Sequence, residues 1–355
     1  MYKLFIFVFL CLLTAAPVSA DDKGPAKLPK LVDKKIAKAV EKGLNYLAKI
    51  QQPDGSFPAK WDARSYPACM TALSGLALMA SGSTPEEGPY AENLKRAMIY
   101  LLNAGDAHPN GLIAGKEEAR CTYGHGFSMM FLAQCYGMEQ TKAYEKRLEH
   151  TLGRAIKLVA DGQSGKGGWL YSPAGGGSEG STTACVLQGL RACRNVGIKV
   201  PTRTIDRAVE YMRYCQNPDG GLAYSDAFRG GSLPAISTAA IVCFYSMGIY
   251  DQAAGGKSEE SQFVDKLWRY VDHNTRNFSD RKSFRVYVNF YLAQAKYQRG
   301  GLHWENYYKQ ISKDLLASQS PNGTWPGEDV GPTYGTSIAC MILQLPYGYL
   351  PICER

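Results

Sequence analysis

The chain has 355 residues of ordinary globular composition, 45% of them hydrophobic, and its formal net charge is +8. Lysine and arginine are spread over the polar faces of many predicted helices and form no run, which indicates a solvated surface and argues against nucleic acid as a partner. Beyond the N-terminus, no stretch reaches the roughly 20 uninterrupted apolar residues that a membrane helix needs. Composition therefore favours a soluble globular protein without a membrane span.

The N-terminus has the three-part layout of a cleaved secretory signal. Lys3 precedes an apolar run from Leu4 to Leu13, and the small-residue site Val18-Ser19-Ala20 follows. The apolar run is too short to span a bilayer. We therefore predict a signal peptide over residues 1–20, a linker over residues 21–32 and a single domain over residues 33–355, in a secreted or periplasmic protein.

Nine cysteines remain after such a cleavage, so an odd number of thiols would enter an oxidising compartment. Most of them lie within apolar helical stretches, which is typical of small buried hydrophobic residues. No C-x-x-C pair occurs in the sequence, and this argues against a zinc knuckle.

A turn rich in Asp, Asn and Gly returns along the chain, each time after an amphipathic helix and before an apolar one. The turns are marked by Gly55, Gly111, Gly168, Gly220 and Gly323. The last interval is twice the others, and a degenerate fifth turn is expected near Asn277–Asp280.

Helices on the two sides of a turn differ in their hydrophobic pattern. Before the turn, Ile205, Ala208, Val209 and Met212 form a stripe of 3.6-residue period, so this is an outer helix with one wet face. After the turn, stretches such as Ile236–Met247 are apolar nearly all round and must be inner helices. Because no single pair can bury its own apolar face, we predict an all-α ring of six helix pairs.

The turns that contain Gln52, Gln216 and Gln319 resemble the QW motifs of the squalene cyclase, oxidosqualene cyclase and protein prenyltransferase superfamily. The resemblance covers nearly the whole mature chain and implies an α/α toroid. The C-terminal stretch Ile342–Pro351 and the segment Tyr123–Gly126 are similar to secreted bacterial members whose function is not established. In the superfamily the motif ties a turn to a neighbouring helix, so it implies the fold strongly and the reaction only weakly.

The catalytic residues of the cyclases are largely missing. Class II cyclases protonate their substrate with the central aspartate of a D-x-D-D-T-A segment, and the matching stretch here runs from Glu179 to Ala184. Ser181 and Thr182 occupy the acidic positions and are not acids of that strength. Glu179, taken as an exposed lone carboxylate, would be ionised at neutral pH. Cyclisation by protonation is therefore disfavoured.

The zinc ligands of the prenyltransferases are also missing. That family holds zinc through an Asp, a Cys and a His, with the first two in a D-x-C pair, and no such pair exists here. Cys121 and His125 lie four residues apart, but no third ligand accompanies them. We therefore predict neither a metal nor a cofactor.

Candidate site residues come from the first turns of the inner helices, which a toroid brings together at one mouth. Four repeats begin with Tyr66, Tyr123, Tyr287 and Tyr334, and the position two further on is Ala68, His125, Asn289 or Thr336. We predict catalytic roles for the following residues: His125, Tyr123 and Glu179. We predict ligand contacts for the following residues: Tyr66, Tyr287, Asn289, Tyr334 and Thr336.

His125 is the first candidate because it is the only titratable group among the second-position residues, and an imidazole can act as a general base or acid or donate a hydrogen bond. The alternative is a structural histidine packed beneath a glycine turn, with the tyrosines as packing residues of the repeat. Both interpretations are open at this point.

Three functions compete. The first is a secreted toroid that binds an apolar, isoprenoid-like molecule in a central cavity, which some of the 23 tyrosines would line. The second is a polysaccharide lyase-like enzyme in which Tyr123 or His125 abstracts a proton and Arg120 or Arg285 neutralises the substrate carboxylate. The third is a non-catalytic interaction scaffold. The first is our leading interpretation and the other two are its alternatives. Sequence features discriminate among the three only partly, and they give no oligomeric state.

Overall fold

The computed structural model describes residues 28–58, 60–61, 64–115, 118–138, 141–275 and 284–354. The predicted signal peptide, most of the predicted linker and the degenerate fifth turn lie outside these residues. The described residues contain twelve α-helices: α1 (Lys34–Ile50), α2 (Pro67–Met79), α3 (Ala91–Asp106), α4 (Cys121–Cys135), α5 (Lys142–Asp161), α6 (Gly180–Asn195), α7 (Thr202–Tyr214), α8 (Pro234–Ser246), α9 (Glu259–Asn274), α10 (Arg285–Arg299), α11 (Gly301–Ser318) and α12 (Pro332–Gln344). Strands β1 (Lys60–Trp61) and β2 (Arg64–Ser65) form a small antiparallel pair.

The odd-numbered helices are amphipathic and form the outer layer. In α1, Ile36, Val40, Leu44 and Leu47 are buried at intervals of three and four residues, and the lysines between them face outward. The Asp33 carboxylate caps this helix by accepting a hydrogen bond from the backbone N–H of Ile36 at 2.8 Å.

The even-numbered helices form the inner layer. In α8, every residue from Ala235 to Ser246 is buried, so the helix has no wet face. Each inner helix packs against the next, in the order α2, α4, α6, α8, α10 and α12, and α12 returns to α2. The predicted α/α toroid of six helix pairs is confirmed.

Glycine is required in the turns that join an outer helix to the next inner one. Five equivalent glycines have φ between +88° and +101°: Gly55, Gly111, Gly167, Gly220 and Gly323. A Cβ atom at Gly167 would lie 2.2 Å from the carbonyl oxygen of Arg207 on the following outer helix. The equivalent residue of the third turn is thus Gly167, one residue before the Gly168 that the sequence pattern suggested.

Glutamine side chains tie these turns to the following outer helix. The Gln319 amide donates to the carbonyl oxygens of Gly323, at 3.1 Å, and of Ala39 in α1, at 2.8 Å, which links the last turn to the first helix. In the first turn Gln51 makes the equivalent bonds. The resemblance had assigned this position to Gln52, whose amide instead bonds the nearby Ile50 carbonyl.

The interior of the ring is filled at the C-terminal ends of the inner helices. Gln188 of α6 donates across the ring to Gln294 of α10 at 3.0 Å. The 3₁₀ turn Pro351–Cys353 packs beneath them against α4, α6 and α10, and Gln298 donates to the Cys353 carbonyl at 3.2 Å. Space inside the described ring therefore lies toward the N-terminal ends of the inner helices.

Two further properties concern the described residues alone. None of their helices combines the length and the apolar composition that a bilayer crossing requires. The nine described cysteines are all free thiols, and eight of them are buried.

Candidate functional site

A cavity of about 730 Å³ opens among the N-terminal ends of the inner helices. Of the 21 residues that line it, nine are aromatic and seven are aliphatic. Six of the nine are tyrosines: Tyr66, Tyr123, Tyr171, Tyr224, Tyr287 and Tyr334. The wall is therefore mainly hydrocarbon and aromatic surface.

One equivalent position in the first turn of every inner helix lines this cavity, and we call this set of six residues the cavity ring. Its members are Cys69, Tyr123, Ser181, Ala235, Tyr287 and Tyr334. The predicted positions of Tyr123, Tyr287 and Tyr334 agree with this ring. Tyr66 also lines the cavity, but it precedes the first residue of α2. The cavity-ring position of α2 is occupied by Cys69.

The residues two positions further along each helix form a second set, which we call the tie ring: Thr71, His125, Thr183, Ser237, Asn289 and Thr336. In the structure, five of them accept a hydrogen bond from the backbone N–H of the residue that closes a glycine turn. Thr183, for example, accepts from Trp169 at 3.1 Å. The tie ring therefore anchors the turns.

His125 belongs to the tie ring, and this corrects the expectation that it shares the cavity with the tyrosines. Its Nδ1 accepts from the backbone N–H of Ile113 at 3.0 Å, and its Nε2 donates to the Ala155 carbonyl at 3.2 Å. The side chain is fully buried and does not line the cavity. Burial lowers the pKa of His125 to about 4, so the ring is neutral and both nitrogens are occupied.

Two predicted ligand contacts need the same correction. The Thr336 hydroxyl accepts from the Trp325 backbone N–H at 3.1 Å. The Asn289 side-chain amide oxygen accepts from the Tyr307 hydroxyl of α11 at 3.3 Å, on the outer side of the ring. Neither residue lines the cavity, because both are bonded to the outer structure.

Glu179 lies behind the cavity wall and is fully buried, whereas the sequence analysis treated it as exposed. It caps α6 by accepting from the backbone N–H groups of Ser181, at 2.7 Å, and Thr182, at 2.6 Å. The Ser181 hydroxyl lies 2.8 Å from both carboxylate oxygens and 2.6 Å from the Tyr123 hydroxyl. Burial raises the pKa of Glu179, and these hydrogen bonds oppose that effect. The wall thus has one polar patch, Tyr123 and Ser181, with a carboxylate behind it.

Glu118 is a buried carboxylate that the sequence analysis missed. It accepts hydrogen bonds from the backbone N–H groups of Gly115, Ala68 and Cys69, at 2.7, 3.3 and 3.2 Å. Burial raises its pKa to about 7, although these bonds lower it. In the sequence it lies in a charged stretch that is typical of a surface loop, so no sequence signal indicated its burial.

Two tyrosines at the mouth were also missed. The hydroxyls of Tyr171 and Tyr224 are hydrogen-bonded to each other, and the Arg120 guanidinium stacks on the Tyr171 ring at 4.3 Å. Each tyrosine follows the closing residue of its turn, Trp169 or Leu222, by two positions. This shared spacing of two residues was the sequence signal that could have identified both tyrosines as site residues.

Within the described ranges, no group of three or more His, Cys, Asp and Glu side chains is arranged to hold a metal ion.

No protein-family model matches the chain. Over 183 residues it is 27% identical to drimenyl diphosphate synthase from Streptomyces showdoensis, an alignment that covers 52% of this chain and 32% of that protein. The chain therefore spans about a third of the length of this curated relative.

Solved structures with the same fold cover most of the chain. The type II terpene cyclase MstE from Scytonema, in complex with its product merosterolic acid A, superposes with a TM-score of 0.60 at 12% identity, over 90% of this chain and 98% of its own. The fold is terpene cyclase-like. It is also that of the GH76A α-1,6-mannanase from Salegentibacter (TM-score 0.64, 9% identity, 88% and 99% covered) and of cellobiose 2-epimerase from Bacillus thermoamylovorans (0.61, 11%, 87% and 98%). At such identities the likeness shows the fold alone.

Proposed function

We propose that this protein binds an apolar, isoprenoid-like molecule in its central cavity. The observation that carries the proposal is the wall itself, in which sixteen of 21 lining residues are aromatic or aliphatic. A cavity of about 730 Å³ lies within the range of roughly 300–1,000 Å³ that is usual for small-molecule sites. Burying an apolar chain there would contribute about 25 cal/mol for each Å² removed from water.

The comparisons support this choice of ligand without deciding it. One MstE structure holds the substrate geranylgeranyl dihydroxybenzoate, and another holds the product merosterolic acid A. The aromatic wall of the present cavity suits ligands with such hydrocarbon chains.

We propose ligand binding without cyclisation initiated by a D-x-D-D-type acid. Ser181 and Thr182 stand where the cyclases carry their acidic residues, and Ser181 presents a hydroxyl to the cavity. Glu179 is behind the wall and bonded to two backbone N–H groups, so it does not reach a ligand directly.

The lyase-like alternative has less support. It required His125 or Tyr123 as a base beside a cationic groove, and His125 is outside the cavity. Among the described lining residues, the only cation is Arg120, and Glu328 and Asp329 carry the opposite charge. If the binding experiment below finds no ligand, the non-catalytic interaction scaffold becomes the favoured function.

We also propose that the protein acts outside the cytoplasm after removal of residues 1–20. N-terminal sequencing of protein from the extracytoplasmic fraction tests this. A mature chain that begins near Asp21 is expected, and a chain that retains the apolar run Leu4–Leu13 would contradict the proposal.

The binding proposal is tested by narrowing the cavity. Ala235→Phe places a ring at a cavity-ring position, and Ala317→Phe adds the same ring to an exposed position of α11 as the control. We expect farnesol or farnesene to bind the unmodified protein and the control in native mass spectrometry, and to raise their melting temperatures, but to bind Ala235→Phe more weakly. Absence of binding of every C15 isoprenoid to the unmodified protein, or equal binding to Ala235→Phe, would contradict the proposal.

A further inference from the structure

The mouth of the cavity is surrounded by the N-termini of six inner helices, an arrangement that ordinarily attracts anions. In three of these helices, a carboxylate of the protein already takes the free backbone N–H groups. Glu118 accepts from Ala68 and Cys69 at the start of α2, and Glu179 accepts from Ser181 and Thr182 at the start of α6. At these two N-termini, backbone N–H groups that an anionic ligand would use are therefore already bonded to a side chain of the protein.

The third carboxylate belongs to Glu328, which accepts from the backbone N–H of Val286 in the first turn of α10 at 3.3 Å. Arg285 interacts with Glu328 but does not line the cavity. Glu328 itself lines the cavity and is exposed at its mouth, where an approaching ligand meets it.

Each of the other three N-termini offers one donor fewer than an open helix N-terminus. Pro234 and Pro332 occupy the first helical positions of α8 and α12, and proline has no N–H group. At the start of α4, the Thr122 N–H is bonded to the Tyr171 carbonyl at 3.1 Å. Alternate helices are thus supplied with carboxylates, and the remainder have lost donors to proline or to a neighbouring carbonyl.

Acidic side chains outnumber basic ones among the residues that line the cavity. Glu328 and Asp329 line it, the buried Glu179 lies behind Ser181, and the described lining contains one cation, Arg120. A diphosphate would bring at least two negative charges to this mouth. Both the local charge and the occupied helix N-termini oppose its binding.

The polar patch of the wall suits a different head group. Glu179 accepts two backbone N–H bonds at a helix N-terminus, and both of its oxygens also lie within hydrogen-bond distance of the Ser181 hydroxyl, at 2.8 Å. The Ser181 hydroxyl therefore donates to Glu179, and the Tyr123 hydroxyl donates to Ser181. The Tyr123 oxygen keeps a lone pair as an acceptor, so the patch suits a ligand that donates a hydrogen bond, as an alcohol does.

We infer that the ligand of this cavity is an uncharged isoprenoid alcohol, bonded through its hydroxyl to Tyr123 and Ser181, and that prenyl diphosphates are rejected. The inference rests on the proposed function and narrows it to one chemical class. It also separates this chain from its curated relative, whose name is that of a diphosphate synthase.

Three ligands with the same C15 chain test the inference: farnesol, farnesene and farnesyl diphosphate. Their affinities for the purified protein are measured by fluorescence titration below the concentration at which they form micelles, with native mass spectrometry for stoichiometry. We expect farnesol to bind about tenfold or more tightly than farnesyl diphosphate, since like charges brought together at a binding site are strongly unfavourable. Farnesol should also bind more tightly than farnesene.

Two single-charge variants supply the matched comparison. Glu328→Gln removes the carboxylate at the mouth, and we expect it to improve the affinity for farnesyl diphosphate roughly fivefold without changing that for farnesene. Glu87→Gln removes an exposed carboxylate from the connection between α2 and α3, at the opposite end of the ring, and should change neither affinity.

The outcomes separate this inference from the proposed function. If none of the three ligands binds, the proposed function is wrong and the inference falls with it. If farnesyl diphosphate binds as tightly as farnesol, the cavity takes isoprenoids but the inferred rejection of diphosphates is overturned. If farnesene and farnesol bind equally, the hydroxyl contact with Tyr123 and Ser181 is overturned.

Discussion

The cavity ring and the tie ring lie on the same six inner helices, two residues apart, and they differ in the residue types they contain. The cavity ring ranges from Ala235 to three tyrosines, because its side chains border open space and share no common partner in the turns. Five of the six tie-ring positions carry an acceptor for a turn N–H group. Regularity along this repeat therefore marks the residues that build the ring, and variation marks those that face the ligand.

Among substitutions in the two rings, those at His125 in the tie ring are expected to change the free energy of unfolding the most. His125→Ala should lower the free energy of unfolding by about 3–5 kcal/mol, since it leaves the Ile113 N–H and the Ala155 carbonyl unpaired and opens a buried space. His125→Thr installs the residue that three other repeats use and should cost about half as much. Urea unfolding measures both variants.

The same pair decides whether His125 has a role in the cavity. We expect folded His125→Thr to bind farnesol with unchanged affinity. A folded variant that has lost the ligand would place His125 in the site after all, contrary to its position in the tie ring.

Glu118, which lies behind the cavity ring, should make stability depend on pH. Its folded-state pKa of about 7 exceeds the ordinary value of 4.5, so the folded protein binds this proton more tightly than the unfolded chain. The corresponding stability is fully present below about pH 4.5 and is lost as the pH rises through 7, which amounts to about 3 kcal/mol.

Glu118→Gln, which cannot titrate, is the variant for this measurement. Between pH 5 and pH 8 it should lose less stability in urea unfolding than the unmodified protein does. Parallel changes in the two proteins would show that Glu118 is not the group responsible. His125 acts in the opposite direction, because its lowered pKa of about 4 removes stability as the pH falls from 6.5.

Tyr123→Phe should have the smallest effect on folding, because it removes one hydroxyl from the cavity ring and leaves the Ser181 bond to Glu179 in place. We expect a loss of about 1 kcal/mol in the free energy of unfolding. The affinity for farnesol should fall severalfold and that for farnesene should not change. A drop in both affinities would indicate a packing role for the ring in place of a hydroxyl contact.

The error in the predicted site follows from helix geometry. The tyrosines of three repeats were placed correctly, but the residues two positions further on were expected beside them. Two residues turn an α-helix by about 200°, so His125, Asn289 and Thr336 emerge on the far side from Tyr123, Tyr287 and Tyr334. The alternative of a structural histidine beneath a glycine turn matches the hydrogen bonds that the structure shows.

The local sequence pattern was sufficient to predict the fold, because the hydrophobic periodicity of each helix and the glycine of each turn lie within one repeat. The outer stripe of each odd-numbered helix, the apolar length of each even-numbered helix and the glycine turns are all local, and together they predicted six pairs in a ring. The ring arrangement then follows, since no helix pair can bury its inner face alone.

Tertiary structure decided which polar groups meet. Glu118 and Glu179 are charged residues in loops by sequence, and only the packing of neighbouring repeats buries them against helix N-termini. Burial and hydrogen bonding determine the protonation state and the orientation of a polar side chain. Both depend on residues from other repeats. The sequence alone thus determined the toroid and its aromatic wall, whereas the electrostatics of the cavity mouth arose only when the six pairs closed into a ring.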